Sequence, residues 1–185
     1  MSFEESLVWH ASPTLASIKI ANLYNFKFTS LEECLCTIAD FNGLMNPKGI
    51  YIELVKNVGD FYLIYVYRKS HLSKELGRSD VRKFLVQFGY SPDGDLSIYL
   101  NVLKERLALK EEFPHEIGVF LGYPLPEVKA FIEAKGQGSI ACGEWKVYHD
   151  EQFAKCMFCK YRHCREIYMK VFGEGRRLSD MLISA

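Results

Sequence analysis

Two cysteines and a histidine recur on one stretch near the end of the chain: Cys156, Cys159 and His163. On a helix their i, i+3 and i+7 spacing places them within about 60° of one another. Two soft thiolates and an imidazole on one face suit zinc or iron. A fourth ligand would come from Cys142, His149 or Cys34. Lys155, Lys160 and Arg162 add positive charge beside the thiols, which favours redox chemistry. Against this stands the absence of a second cysteine pair at a recognised spacing. Partly exposed helix cysteines are the plainer reading.

A second group mixes polar side chains into apolar sequence. If the residues after Pro13 are helical, Leu15, Ile18, Lys19 and Asn22 share one face. Lys19 then either snorkels past the edge of the core or points into a pocket as an anion-binding or proton-transfer group. His10 lies just before this stretch. In Pro114-His115-Glu116 the helix dipole accounts for Glu116. His115 beside the apolar run 117–121 needs a partner if it is inside the fold. The position that a zincin motif would give to its second histidine is Val119, so zincin chemistry is excluded there. Lys146 adds a cation to the 144–148 segment. The Gly136-Gln137-Gly138 loop lacks both a third glycine and a Walker Lys-Ser/Thr ending, and reads as a helix C-cap and turn.

The elements that must position these residues follow from periodicity. The pattern predicts a helix from Pro13 through Asn22, a second over 31–41, and a hairpin of 50–56 with 61–68 around a four-residue loop. Helices follow over 80–88, with Ser79 as its N-cap, and over 95–110, whose solvated face carries Lys104, Glu105, Lys110 and Glu111. Pro126 opens a helix that Gly136 closes. Glu144–Tyr148 reads as a third strand, and a long helix runs from about Asp150 to Phe172. Its stripe is Phe153, Met157, Tyr161, Cys164, Tyr168 and Val171. The class is α+β: a small antiparallel sheet, hairpin 50–68 plus strand 144–148, covered by several helices. One domain is expected, with 173–185 a short appendage.

Three segments resemble a bacterial family, the domain of unknown function 3793. They are Trp9 to Lys19, Phe113 to Leu125 with its Pro-His-Glu-Ile-Gly core, and Cys142-Gly143-Glu144-Trp145-Lys146-Val147-Tyr148. The resemblance covers Phe3 to Phe172 and brings no established activity with it. The family pattern often places cysteine directly after the first histidine, where this chain has Ala11. It usually has cysteine near Cys142 and Cys164, and Cys156 and Cys159 are not part of it.

Composition bounds what these residues can do. The chain has 185 residues, 49% of them hydrophobic and 14% aromatic, which supports a real core and argues against disorder. Lys and Arg total 23, as do Asp and Glu, so no global charge draws it to nucleic acid or anionic lipid. The longest apolar run, Phe61 to Tyr67, is far short of a membrane span. The start of the chain has no signal-peptide pattern, so a cytoplasmic protein with free thiols is expected. The leading expectation is binding of a small molecule or metal where the segments around His10–Asn22, His115–Glu116 and Glu144–Tyr148 meet. The alternatives are a non-enzymatic interaction module and a thiol-based metal or redox protein.

Overall fold

The computed structural model describes residues 1–109 and 113–184, so Lys110 and Glu111 of the solvated helix face lie outside the described residues. The chain divides into two compact units, Met1–His71 with Tyr161–Ala185, and Leu72–Lys160.

The first unit begins with α1 (Phe3–Leu15). A capping box sets its start: Ser2 Oγ accepts the Glu5 N–H at 3.1 Å, and the Glu5 carboxylate accepts the Ser2 N–H at 2.6 Å. The helix expected from Pro13 to Asn22 is therefore corrected. Pro13 lies near the end of α1, and the chain leaves the helix where Ser17 takes a φ of 63°. The Ile18 and Lys19 N–H groups both close back onto the Pro13 carbonyl, at 2.9 and 3.1 Å. Asn22 then falls in a strand, β1 (Ala21–Lys27). α2 (Leu31–Met45) follows, with Ser30 Oγ accepting the Glu33 N–H.

The hairpin forms as expected from β2 (Ile50–Val58) and β3 (Phe61–Arg68). The strands run further than the alternation suggested and leave only Gly59 and Asp60 in the turn, Gly59 at a φ of 59°. The sheet order is β1-β3-β2, all antiparallel. Its third strand is thus β1, and the expectation that 144–148 completes this sheet is corrected. Asn22 pairs opposite Val66 and Tyr24 opposite Ile64. That register carries Asn22, Tyr24 and Phe26 along one face, the period-2 pattern of a half-buried strand.

Leu7, Val8, Ala11 and Leu15 of α1 pack with Ile50, Ile52, Ile64 and Val66 of the sheet in one core. A fully buried leucine contributes about 1.5–3 kcal/mol relative to an exposed one, so this stripe is what holds α1 in place. Leu178 and Leu182, around a one-turn 3-10 helix, are buried in the same core.

Arg68 ends β3 with no exposure at all. Its guanidinium donates to the Thr14, Leu15 and Ile183 carbonyls at 2.6, 2.6 and 2.7 Å. The last turn of α1 has no basic residue of its own, so Arg68 supplies the cation that its C-terminal dipole favours. Burial lowers the guanidinium's pKa from its ordinary value, and the nearby Tyr168 opposes that.

In the second unit, α3 (Lys69–Leu76) leads in, and α4 (Ser79–Val86), α5 (Leu96–Leu109), α6 (Ile117–Phe120) and α7 (Leu125–Glu133) follow. Val81, Phe84 and Leu85 of α4 are buried at the expected spacing. Ser79 is the first helical residue rather than the cap, which is Arg78. Asp95 begins α5 by accepting the Ile98 N–H at 2.9 Å. β4 (Ala141–Cys142) and β5 (Lys146–Val147) make a separate two-stranded hairpin. α8 (Glu151–Gly173) then runs from this unit into the first. Of its expected stripe, Tyr161 is buried, whereas Phe153 is exposed and its neighbour Ala154 takes the inward position.

The class is therefore α+β. Among the described residues no helix is long and apolar enough to cross a membrane.

Candidate functional site

The second unit carries a cavity of about 450 Å³ that opens to solvent. One wall comes from the turn into α6 with His115, Ile117 and Gly118. A second comes from α7, with Val128 and Phe131. The third is the β4–β5 turn, with Gly143, Trp145 and Lys146.

Local sequence explains each wall. Gly118 permits the close approach of α6 to α7, since a Cβ there would sit 2.8 Å from a Val128 methyl. Gly143 has no room for a Cβ against the Phe158 ring. That ring stands edge-on to Trp145 at 4.6 Å, and Tyr123 flanks the indole on another side at 5.4 Å. Trp145 Nε1 is buried with no hydrogen-bond partner among the described residues. Glu127, also in the lining, is 5% exposed. Its carboxylate accepts the backbone N–H groups of Tyr148, His149 and Asp150 at 2.6, 3.2 and 3.4 Å. It thereby fixes the chain between β5 and α8, while Asp150 Oδ1 accepts the Phe153 N–H of the first turn of α8 at 2.9 Å.

His115 is exposed, and its ring packs edge-to-face on Phe131 at 4.9 Å. Lys146 donates to the Gly136 carbonyl at 2.7 Å and lies 5.8 Å from the centre of the same Phe131 ring. The two residues, 31 positions apart in sequence, therefore share one neighbour and one cavity. Glu116 faces away from this chemistry. It is 1% exposed, accepts from Arg106 Nε, and receives the Tyr90 hydroxyl at 3.4 Å. It is one half of a buried ion pair whose other half also holds the Phe88 carbonyl.

His10, Lys19 and Asn22 belong to the first unit. His10 lies within α1, not before it, and stacks on the Tyr24 ring at 4.5 Å with a 13° interplanar angle. Burial, and then the Arg165 charge, lower its pKa below the usual histidine value. The Tyr24 hydroxyl meets Ser6 Oγ at 3.1 Å, and burial pushes its pKa up. Lys19 is 5% exposed in the turn between α1 and β1, with its ammonium 5.4 Å from the Tyr161 ring centre. Asn22 Oδ1 accepts the Thr14 hydroxyl at 2.7 Å.

Cys156 and Cys159 are exposed on α8, and His163 lies 3.7 Å from Glu166. Among the described residues no three His, Cys, Asp or Glu side chains are grouped to hold a metal ion. Burial raises the Cys34 and Cys164 thiols to about 11, which disfavours their thiolates. Cys34 is the buried member of the Cys34–Cys36 pair, as a two-residue offset on a helix requires.

Sequence reasoning missed Phe131, Glu127 and Arg68. Phe131 lies within α7 and carries no chemical mark in the sequence. Glu127 follows a helix-opening proline, where an acidic residue already has a dipole explanation. Arg68 carried a usable signal, the single charge that closes the apolar run Phe61 to Tyr67.

No curated protein and no solved structure matches the chain. A family model does match over residues 7–182, almost the whole of it, and the chain belongs to that family, described as a protein of unknown function (DUF3793).

Proposed function

We propose that the protein binds a small, largely apolar molecule in the cavity of its second unit. The observation that carries this reading is the meeting of two separate motif segments, 113–123 and 142–146, on one cavity. Its volume falls within the usual range for small-molecule sites, about 300–1,000 Å³. Its walls follow the usual pattern too, with aromatic and aliphatic surface interrupted by a few polar groups. The segment around His10–Asn22 is a structural part of the first unit in this reading. There Asn22 and Thr14 tie the strand to the helix, and His10 stacks on Tyr24.

The test uses Trp145 as a reporter in a Trp9→Phe background, which leaves one indole. N-phenyl-1-naphthylamine, a neutral apolar probe, is expected to quench or shift the Trp145 emission saturably. Gly143→Val, which drives a side chain toward Phe158 at the cavity wall, is expected to abolish that response. A linear, non-saturating response in the parent protein would count against a site.

A further inference from the structure

We infer that the cavity takes a flat aromatic molecule ending in a carboxylate, with Lys146 and His115 receiving the anionic end. This rests on the cavity reading above and adds the chemical class of the ligand. Shape comes from Tyr123, Phe131 and Trp145, whose rings offer faces and edges to a planar partner.

Charge comes from asking which polar groups in the lining are already committed. Glu127 spends its oxygens on three backbone N–H groups. Glu144 is engaged within the protein. Both carboxylates of the wall therefore have partners within the protein, whereas two of its nitrogen groups keep unused N–H bonds. An ammonium has three N–H bonds, and Lys146 gives one to the Gly136 carbonyl, its sole hydrogen bond among the described residues. His115 makes a ring contact with Phe131 and no hydrogen bond among the described residues. An imidazole donates from one nitrogen in either neutral tautomer. The cavity thus presents spare donors and a formal positive charge at the Phe131 end, beside an aromatic body. That is the complement of an aromatic carboxylate. The neighbouring Arg106 does not compete, because Glu116 and the Phe88 carbonyl already hold it.

Two probes of nearly equal shape separate this inference from the reading beneath it. Calorimetric titration compares 2-naphthoate with 2-naphthalenemethanol, which keeps the ring system and lacks the charge. The carboxylate is expected to bind about tenfold more tightly, the difference a charge-assisted hydrogen bond supplies. Lys146→Met is expected to erase that preference by weakening 2-naphthoate about tenfold more than it weakens the alcohol. His115→Ala is expected to remove a smaller part of it. Equal binding of the two probes to the parent protein would overturn the anion inference and leave the cavity reading standing. A Lys146→Met variant that loses both probes alike would reduce Lys146 to a prop for the Gly136 loop, which also overturns it. Binding of neither probe would remove both the inference and the reading it rests on.

Discussion

Each unit buries polar side chains, but they put them to different use. In the first, Arg68 is spent on three carbonyls, Asn22 on Thr14, and Tyr24 on Ser6. Those groups close α1, the sheet and the last residues onto one another. The second unit has its own committed charges, the Arg106–Glu116 pair and Glu127 on the segment between β5 and α8. It also keeps Lys146 and His115 on a cavity wall with donors to spare. A buried polar residue is therefore a poor guide to function until its partners are counted. Lys19, the more deeply buried lysine, sits in a turn of the first unit. The half-buried Lys146 lines the cavity.

This contrast is broken most forcefully at Arg68. Arg68→Leu leaves three carbonyls without their donor and is expected to cost about 3 kcal/mol in urea unfolding. Amide exchange should rise at Ile183 and across the last turn of α1. Lys146→Met, by contrast, is expected to change stability by less than about 1 kcal/mol, because it gives up one hydrogen bond at a half-buried site. Equal losses in the two variants would erase the distinction between the units.

Glu116→Gln comes next. It leaves the Arg106 guanidinium without its counter-charge in a largely buried position, at a cost of about 2 kcal/mol. Because Glu116 is committed to structure, the affinity of the surviving folded protein for a cavity probe should stay within a factor of about two. A much larger loss of affinity would move Glu116 into the site.

The smallest effect is the pH dependence of His10. Its pKa is lower folded than unfolded, so as pH falls the unfolded chain takes up the proton first. The stability it contributes is present above its unfolded value of 6.5 and is lost as pH falls from there through its lower folded value. Urea midpoints measured at about pH 7.5 and about pH 5.5 should therefore drop further in the parent than in His10→Gln. Identical drops would show that His10 is not a source of the acid sensitivity.

How much of this was legible in the sequence depended on how local the cause was. The β2–β3 hairpin, the amphipathic α4 and α5, and the long α8 follow from alternation or helical spacing within single segments. β1 did not show itself, because Leu15, Lys19 and Asn22 fall at helical intervals by coincidence. The turn that breaks the helix rests on a left-handed Ser17, a residue type that does not advertise such a conformation. The choice of β1 as the third strand is a long-range pairing that the pattern within one segment does not encode. The same holds for the site. His115 and the Glu144–Tyr148 segment stood out as polar residues in apolar company, and the structure brings them to one cavity. Phe131, the ring they share, had no local mark, and His10, Lys19 and Asn22 carried the same mark while serving the first unit.

The most direct test of the cavity as the binding site is a backbone amide titration by NMR with 2-naphthoate, following every assigned residue in both units. We expect saturable shifts concentrated in 113–131 and 136–148, with the amides of α1 and β1 unmoved. Shifts centred on His10, Lys19 and Asn22, or no saturable shifts anywhere, would contradict it.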